Sequence, residues 1–135
     1  QEDICETKLL PNQFDLIICI SAIEHIGLDT IYGRSNKKSS DKKAIKSMFS
    51  LLKPGGKILL TMPAGVEFSQ SEFMKIYSPK KIHQLLKDFK VIKEIYYAPN
   101  SSRTSWRSQP AEQLPSSPNF GVVTIIAQKP AHPRK

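Results

Sequence analysis

The pattern of apolar and polar residues in the first half of the chain predicts a strand, a helix and a second strand. Residues 15–21 (DLIICIS) are nearly all aliphatic, which is typical of a strand buried on both faces of a parallel sheet. In the next patterned segment the apolar residues lie three or four apart, as on the buried face of a helix with Ser40 or Asp41 as its N-cap. KPGG at 53–56 ends this helix, and KILLTM at 57–62 is predicted to form a second buried strand. Because a strand, a helix and a strand in one sheet form a right-handed crossover, the two strands should be parallel.

The second half of the chain continues this alternation and ends in two strands. A helix is predicted to begin at Ser78, with Pro79 at its first position. The apolar residues on one face of this helix are Ile82, Leu85, Leu86 and Phe89. Strands are predicted at 90–98 and 121–129. This order predicts an α/β fold in which parallel strands and helices are followed by an antiparallel hairpin.

Residues 99–120 are predicted to form a long loop, because they hold four prolines and many serines. Loops of this length inside compact domains are usually functional or disordered. The only tryptophan, Trp106, lies in the middle of this loop, where it either anchors a lid or covers the sheet. The pattern does not decide between these two roles.

Composition indicates one soluble domain of 135 residues. Cys5 and Cys19 lack the spacing of a metal or redox site, which favours a reducing, cytoplasmic environment, and no apolar run approaches the roughly 18 residues that cross a bilayer. The net charge of +8 comes largely from lysines at 34–46 and from the end of the chain, where 130–135 form a basic tail. No aromatic residues are interleaved for base stacking, so a solvated loop and tail explain the charge better than a nucleic-acid surface does.

Glu24 and His25 stand directly after the first predicted strand, in the run FDLIICISAIEHIGL at 14–28. In open parallel sheets, ligands bind at the carboxyl ends of the strands, which is where residues 21–26 and 63–65 fall. Glu24 and His25 are therefore candidates for a functional site. The alternative is that Glu24 is solvated and that His25 caps or packs beneath the next helix.

Four segments together resemble the second half of a class I S-adenosylmethionine-dependent methyltransferase. They are DI at 3–4, FDLIICISAIEHIGL at 14–28, LLKPGGKILLTMP at 51–63 and GVVTIIAQKP at 121–130. Within that superfamily, IEHIGL followed by Tyr32 and Gly33, and the segment at 76–91, are similar to a type 11-like subgroup of small-molecule methyltransferases. The resemblance implies a partial Rossmann-like methyltransferase sheet over residues 1–135. It also implies methyl transfer from S-adenosylmethionine to a small-molecule acceptor, such as one that carries a hydroxyl.

The resemblance implies cofactor-binding roles for residues at two places in the chain. Asp3 matches the acidic residue that accepts a hydrogen bond from the adenine amino group, and the backbone N–H of Ile4 would meet an adenine ring nitrogen. Ile20 and Ser21 match positions that line the cofactor beside its sulfonium. The alternative for Asp3 is an ordinary acidic residue in a surface loop.

The resemblance also implies roles for the two candidate catalytic residues. His25 would pack over the cofactor or face the acceptor, and Glu24 would orient or deprotonate an acceptor hydroxyl. Methyl transfer from a sulfonium depends mainly on in-line positioning and desolvation, because the leaving group is already activated. A catalytic base is therefore optional, and no metal is implied.

Two cofactor elements of a complete methyltransferase have no counterpart in this sequence. These elements are the glycine-rich turn and the acidic residue that binds the ribose. The six glycines form no G-x-G, and only Gln1 and Glu2 precede Asp3. We therefore expect the chain to be the C-terminal half of a methyltransferase domain. Its strand at 15–21 would be an unpaired edge, which the N-terminal half or self-association would cover.

Two other functions remain open from the sequence. The chain could be a non-catalytic, methyltransferase-like interaction module that lacks the glycine-rich loop. It could also be half of a dinucleotide-dependent oxidoreductase, although EHI at 24–26 has no role in that class.

Overall fold

The structure is a computed structural model that describes residues 2–28 and 40–132. The predictions that involve Tyr32, Gly33, the lysines within 34–39 and the last three residues of the basic tail lie outside these ranges.

The described residues form two α-helices, seven β-strands and three 3₁₀ turns. The helices are α1 (Asp41–Leu51) and α2 (Pro79–Leu85). The strands are β1 (Phe14–Ile20), β2 (Leu52–Ala64), β3 (Ser69–Gln70), β4 (Lys75–Ile76), β5 (Lys90–Pro99), β6 (Trp106–Ser108) and β7 (Gly121–Gln128). The 3₁₀ turns are Ile4–Glu6, Ile23–His25 and Ala111–Gln113.

Five strands form the main sheet in the order β1-β2-β7-β5-β6. β1 and β2 are parallel, as predicted, and β7 is antiparallel to both β2 and β5. β5 therefore runs in the same direction as β2, and β7 lies between them. This topology confirms the predicted Rossmann-like α/β fold that ends in an antiparallel hairpin.

The helices begin where the sequence predicted. The Ser40 hydroxyl accepts a hydrogen bond from the Lys43 amide at 3.2 Å, and the Ser78 hydroxyl accepts one from the Lys81 amide at 3.3 Å. These bonds satisfy amides that have no partner within the helix. Ser40, and not its alternative Asp41, is therefore the cap of α1, and Ser78 caps α2 as predicted.

The junction between α1 and β2 differs from the prediction. β2 begins at Leu52, so KPGG belongs to the strand and does not separate it from the helix. Gly55 has a φ of +80°, a conformation that favours glycine. A Cβ on Gly56 would lie 2.9 Å from the Lys53 carbonyl oxygen, so this segment needs both glycines to turn tightly while it pairs.

Both helices belong to one apolar core that packs against the sheet. Its central strand residues include Ile58, Leu60 and Met62 on β2, which are 0% exposed. The Phe49 ring on α1 meets the Phe89 ring, just beyond α2, edge to face with centroids 5.0 Å apart. Neither helix in the described part of the chain is long and apolar enough to cross a membrane.

β1 lies at the edge of the sheet and carries apolar residues on both of its faces. Cys19 points into the core and is 8% exposed. Leu16, Ile18 and Ile20 alternate with the core-facing residues and are 53%, 58% and 59% exposed. The prediction that this strand is buried on both faces is therefore wrong for the described residues. We call Leu16, Ile18 and Ile20 the apolar stripe.

Candidate functional site

The candidate site lies where β1 and β2 end, because parallel strands bring their carboxyl ends to the same edge. Ser21 follows β1 with a φ of +45°, a left-handed conformation that costs a non-glycine residue about 1–2 kcal/mol. Its amide donates to the carbonyl oxygen and to the hydroxyl of Thr61 on β2, both at 3.1 Å. These bonds fix the direction in which the chain leaves the strand. Ile20 and Ser21, the two predicted sulfonium contacts, are both exposed at this edge.

In the 3₁₀ turn that follows, the two predicted catalytic residues differ in their exposure to solvent. Ile23 is fully buried and anchors the turn in the core. Glu24 is 3% exposed, whereas the side chain of His25 is 31% exposed. The alternative in which Glu24 is solvated is therefore wrong, and His25 is the more exposed of the two candidates.

Three buried polar side chains hold this turn from below, and we call Asp41, Lys75 and Tyr77 the polar clamp. The Lys75 ammonium donates to the Ile26 carbonyl oxygen at 2.7 Å and lies 3.3 Å from an Asp41 carboxylate oxygen. The Tyr77 hydroxyl donates to the same carboxylate oxygen at 2.9 Å and lies 3.5 Å from the Ile23 carbonyl oxygen. Burial and the Asp41 carboxylate raise the pKa of Tyr77, so its hydroxyl stays protonated and remains a donor. The clamp thus connects the start of α1 to both ends of the turn.

Glu24 lies among these groups with one oxygen unsatisfied. Its Oε2 is buried and has no hydrogen-bond partner among the described residues. Burial raises the pKa of Glu24, because the charged form loses its hydration. Its Oε1 lies 3.8 Å from His25 Nε2, which is too long for a hydrogen bond. Glu24 therefore lies beneath the surface of the turn, whereas His25 lies at it.

His25 has its ring orientation fixed by a backbone carbonyl. Its Nδ1 lies 2.6 Å from the Phe73 carbonyl oxygen, which can only accept, so Nδ1 carries the proton in this contact. In the neutral ring Nε2 then holds the lone pair. This nitrogen is the one that faces Glu24.

Asp3 and Ile4 approach the same region from the beginning of the chain. Asp3 Oδ1 accepts from the Cys5 amide at 2.8 Å and caps the turn Ile4–Glu6. The Ile4 amide is the first of that turn, a position without a partner within the turn. The turn packs on α1, where the Cys5 thiol lies 3.5 Å from the Ser40 carbonyl oxygen.

The turns Ile4–Glu6 and Ile23–His25 both contact α1, one with Asp3 as its cap and the other following Ser21. A carboxylate next to a backbone N–H suits the edge of an adenine ring. An exposed apolar residue before a left-handed serine permits close approach to the backbone at the strand end. The described residues fit S-adenosylmethionine at the adenine and sulfonium positions.

The polar clamp is the part of the site that the sequence analysis missed. Asp41 was predicted only as a possible helix cap, and Lys75 and Tyr77 were assigned no role. The clamp's partners lie 34 to 54 residues apart in the chain, so no local pattern signals their contact. An unusual buried lysine between apolar residues is recognisable only after the fold places it.

Solved structures with the same fold include S-adenosylmethionine-dependent methyltransferases. A methyltransferase of this kind from Methanosarcina mazei is 15% identical, with a TM-score of 0.64 over 97% of this chain and 66% of that chain. The cyclase SpnF is 16% identical, with a TM-score of 0.65 over 97% of this chain and 55% of that one. The third is a Haemonchus contortus phosphoethanolamine N-methyltransferase in complex with phosphomonomethylethanolamine and S-adenosylhomocysteine. It is 21% identical, with a TM-score of 0.58 over 95% of this chain and 36% of that one.

These similarities establish the fold, and this chain spans only about a third to two thirds of the length of those proteins. A comparison with curated proteins finds no match. A family model matches residues 4–127, which include the candidate site except Asp3 and all strands of the main sheet except the final residue of β7. The chain therefore belongs to the family described as Caenorhabditis protein of unknown function, DUF268.

Proposed function

We propose that this chain belongs to an S-adenosylmethionine-dependent methyltransferase that methylates a small molecule at a hydroxyl group. The observation that carries the proposal is the contact of two turns, Ile4–Glu6 and Ile23–His25, with α1, beside the carboxyl edge of two parallel strands. The shared fold with methyltransferases supports it. Fold alone does not assign chemistry, so the proposal depends on these residues.

The chain's own residues would bind the cofactor and prepare the acceptor. Asp3, Ile4, Ile20 and Ser21 would hold S-adenosylmethionine, which supplies a methyl group already activated for transfer. His25 would face the acceptor hydroxyl. Its ring orientation is set by the Phe73 carbonyl oxygen before the acceptor arrives.

We further propose that the active unit is a larger or assembled domain. The apolar stripe supports this, because an edge strand with three aliphatic residues more than half exposed is a surface for pairing or packing. The remainder of the domain, or a second copy of this chain, would cover it. The expected result is self-association of the 135-residue chain in light scattering, reduced by Ile18→Thr. A monomer at every concentration, with the stripe still exposed to solvent, contradicts this part of the proposal.

The alternative function is a non-catalytic interaction module built on the same fold. The observation that favours it is the burial of Glu24, which removes one of the two predicted catalytic groups from contact with a ligand. Binding of the cofactor distinguishes the two functions.

The test is titration calorimetry with S-adenosylhomocysteine. The polypeptide is used as encoded, including any residues upstream of Gln1, and the 135-residue chain is measured beside it. We expect binding by the encoded polypeptide and weaker binding by the shorter chain. Asp3→Ser, which keeps a capping side chain but is too short to reach the adenine, should weaken binding about 10- to 100-fold, because a hydrogen bond to a charged group contributes about 1.5–3 kcal/mol.

Asp15→Ser is the matched control. Asp15 lies at the opposite end of β1 and its side chain is 82% exposed. Its carboxylate oxygen Oδ2 lies 2.8 Å from the Lys53 ammonium. We expect the affinity of this variant for S-adenosylhomocysteine to remain within about twofold of that of the unmodified protein, since a surface ion pair contributes at most about 1 kcal/mol. Absence of binding by the encoded polypeptide would favour the interaction module instead.

A further inference from the structure

A cavity is lined by the segment between β5 and β7. It lies away from the residues assigned to the cofactor and the acceptor. Its volume is about 360 Å³, which is within the range of small-molecule sites. Its lining includes Pro99, Asn100, Arg103, Trp106, Pro118 and Asn119.

Trp106 forms the aromatic wall of this cavity. It lies on β6, where it pairs with Pro99 of β5, and it is 51% exposed. It therefore neither covers the sheet nor belongs to a loop without structure. A half-exposed indole beside a cavity offers a flat apolar surface to a ligand, and burial of such a ring is favourable.

Arg103 supplies the positive charge of the cavity. Its guanidinium donates to the side-chain oxygen of Asn119, a neutral partner, and forms no ion pair with a carboxylate in the described part of the chain. One such bond leaves donors of the planar guanidinium for an anion. The charge is thus not compensated by the residues that line the cavity.

The backbone at Arg103 is not one that arginine favours. Its φ is +56°, in the left-handed region where glycine is the preferred residue, and its amide donates to the Asn100 carbonyl oxygen at 2.9 Å. A glycine would make this turn with less strain, so turn geometry does not account for the arginine. The arginine at this position is better explained by the positive charge that its side chain supplies to the cavity.

The turn that carries Arg103 is fixed before any ligand binds. The Asn100 side-chain oxygen accepts from the Thr104 amide at 2.8 Å, and its amide group donates to the Thr104 hydroxyl at 3.1 Å. The Asn100 backbone amide donates to the Ser105 carbonyl oxygen at 2.9 Å. A site held in this way loses little conformational entropy on binding.

From these observations we infer that the cavity binds a small molecule that combines an anionic group with a flat apolar part. The anion pairs with the Arg103 guanidinium and the apolar part stacks on Trp106. The inference is independent of methyl transfer, because it uses none of the residues assigned to the cofactor.

The test uses the fluorescence of Trp106, the only tryptophan in the chain. The probe is phenyl phosphate, and the two comparison compounds are benzyl alcohol, which lacks the anion, and inorganic phosphate, which lacks the ring. We expect saturable binding of phenyl phosphate at millimolar or lower concentration, at least about tenfold tighter than either comparison compound. Absence of saturation, or equal affinity for benzyl alcohol, overturns the inference.

Two arginine substitutions separate the cavity from general surface charge. Arg103→Gln should weaken phenyl phosphate binding about tenfold or more, whereas Arg107→Gln, on the next residue of β6 and outside the lining, should leave it within about twofold. Arg103→Gly should lose the ligand but keep or raise the midpoint of thermal unfolding. Equal losses from Arg103→Gln and Arg107→Gln, or undiminished binding by Arg103→Gly, contradict the assignment.

Discussion

The two faces of the main sheet have similar apolar residues but very different surroundings. On one face, Leu60 of β2 is fully buried against the helices. On the other, Ile18 of β1 is 58% exposed, although it is next in the chain to the buried Cys19. Stability therefore comes from one face, and the apolar character of the other face needs a different explanation. Contact with another structural unit is the explanation that our proposal adopts.

The same comparison holds for polar groups. The buried polar or charged residues within the described ranges, Glu24, Asp41 and Lys75, lie with the covered core. Asp41 and Lys75 belong to the polar clamp that holds the turn carrying His25, and Glu24 lies within that turn. The covered face thus provides both the hydrophobic stability of the fold and the geometry of the candidate site.

The largest expected difference between the faces is in stability. Leu60→Ala should lower the free energy of unfolding by about 2–5 kcal/mol, because it leaves a cavity in the core. Ile18→Ala removes a side chain that is mostly in water already and should cost no more than about 1 kcal/mol. Urea denaturation at low protein concentration measures both. Similar losses from the two substitutions would show that the uncovered face is buried in solution.

A smaller effect is expected from the polar clamp. Tyr77→Phe removes one donor from the buried Asp41 carboxylate and should cost about 1–3 kcal/mol. It should also speed hydrogen exchange of the His25 and Ile26 amides, which bond within the turn to the Ala22 and Ile23 carbonyl oxygens.

Tyr96→Phe is the control for this prediction. Its hydroxyl also donates to a carboxylate, that of Glu94, but on β5 and away from the turn. This variant should lose stability without a selective change in exchange at the turn. A clamp that does not position the turn would give the same exchange pattern in both variants.

The smallest expected effect is a difference in pH dependence at Glu24. Burial raises the pKa of Glu24 above its value in the unfolded chain, so the folded protein binds more protons between the two values. Stability from this group is therefore present at low pH and decreases as pH rises through that interval. Glu24→Gln cannot titrate, so its stability relative to the unmodified protein should increase with pH. Urea denaturation across pH 4–8 measures the difference, and a difference that decreases with pH contradicts the assigned direction.

Local patterns were sufficient to predict most of the fold. The helix starts follow from Ser40 and Ser78, whose side chains cap the amides three residues later. The strands follow from aliphatic runs with clear ends. β3, β4 and β6 were not predicted, because strands of two or three residues carry no alternating apolar pattern.

The candidate site was only partly predictable for a different reason. Strand ends are where ligands of open parallel sheets bind, and the pattern predicted that Ser21 and His25 follow the end of a strand, which the structure confirms. The depth of Glu24 depends on packing against elements distant in the chain, and the partners of the clamp come from α1, β4 and the residue that follows β4. Such contacts are properties of the tertiary structure and leave no local signal.

The position of β7 has a consequence for the order in which the protein can fold during synthesis. β7 leaves the ribosome after the other four strands of the main sheet, yet it pairs with both β2 and β5 in the middle of the sheet. Until it emerges, β1 with β2 and β5 with β6 are two separate ladders with unpaired edges facing each other. Long-range pairings of this kind are slow, and unpaired edges favour aggregation. A nascent chain of this protein is therefore most prone to misassembly just before β7 is complete.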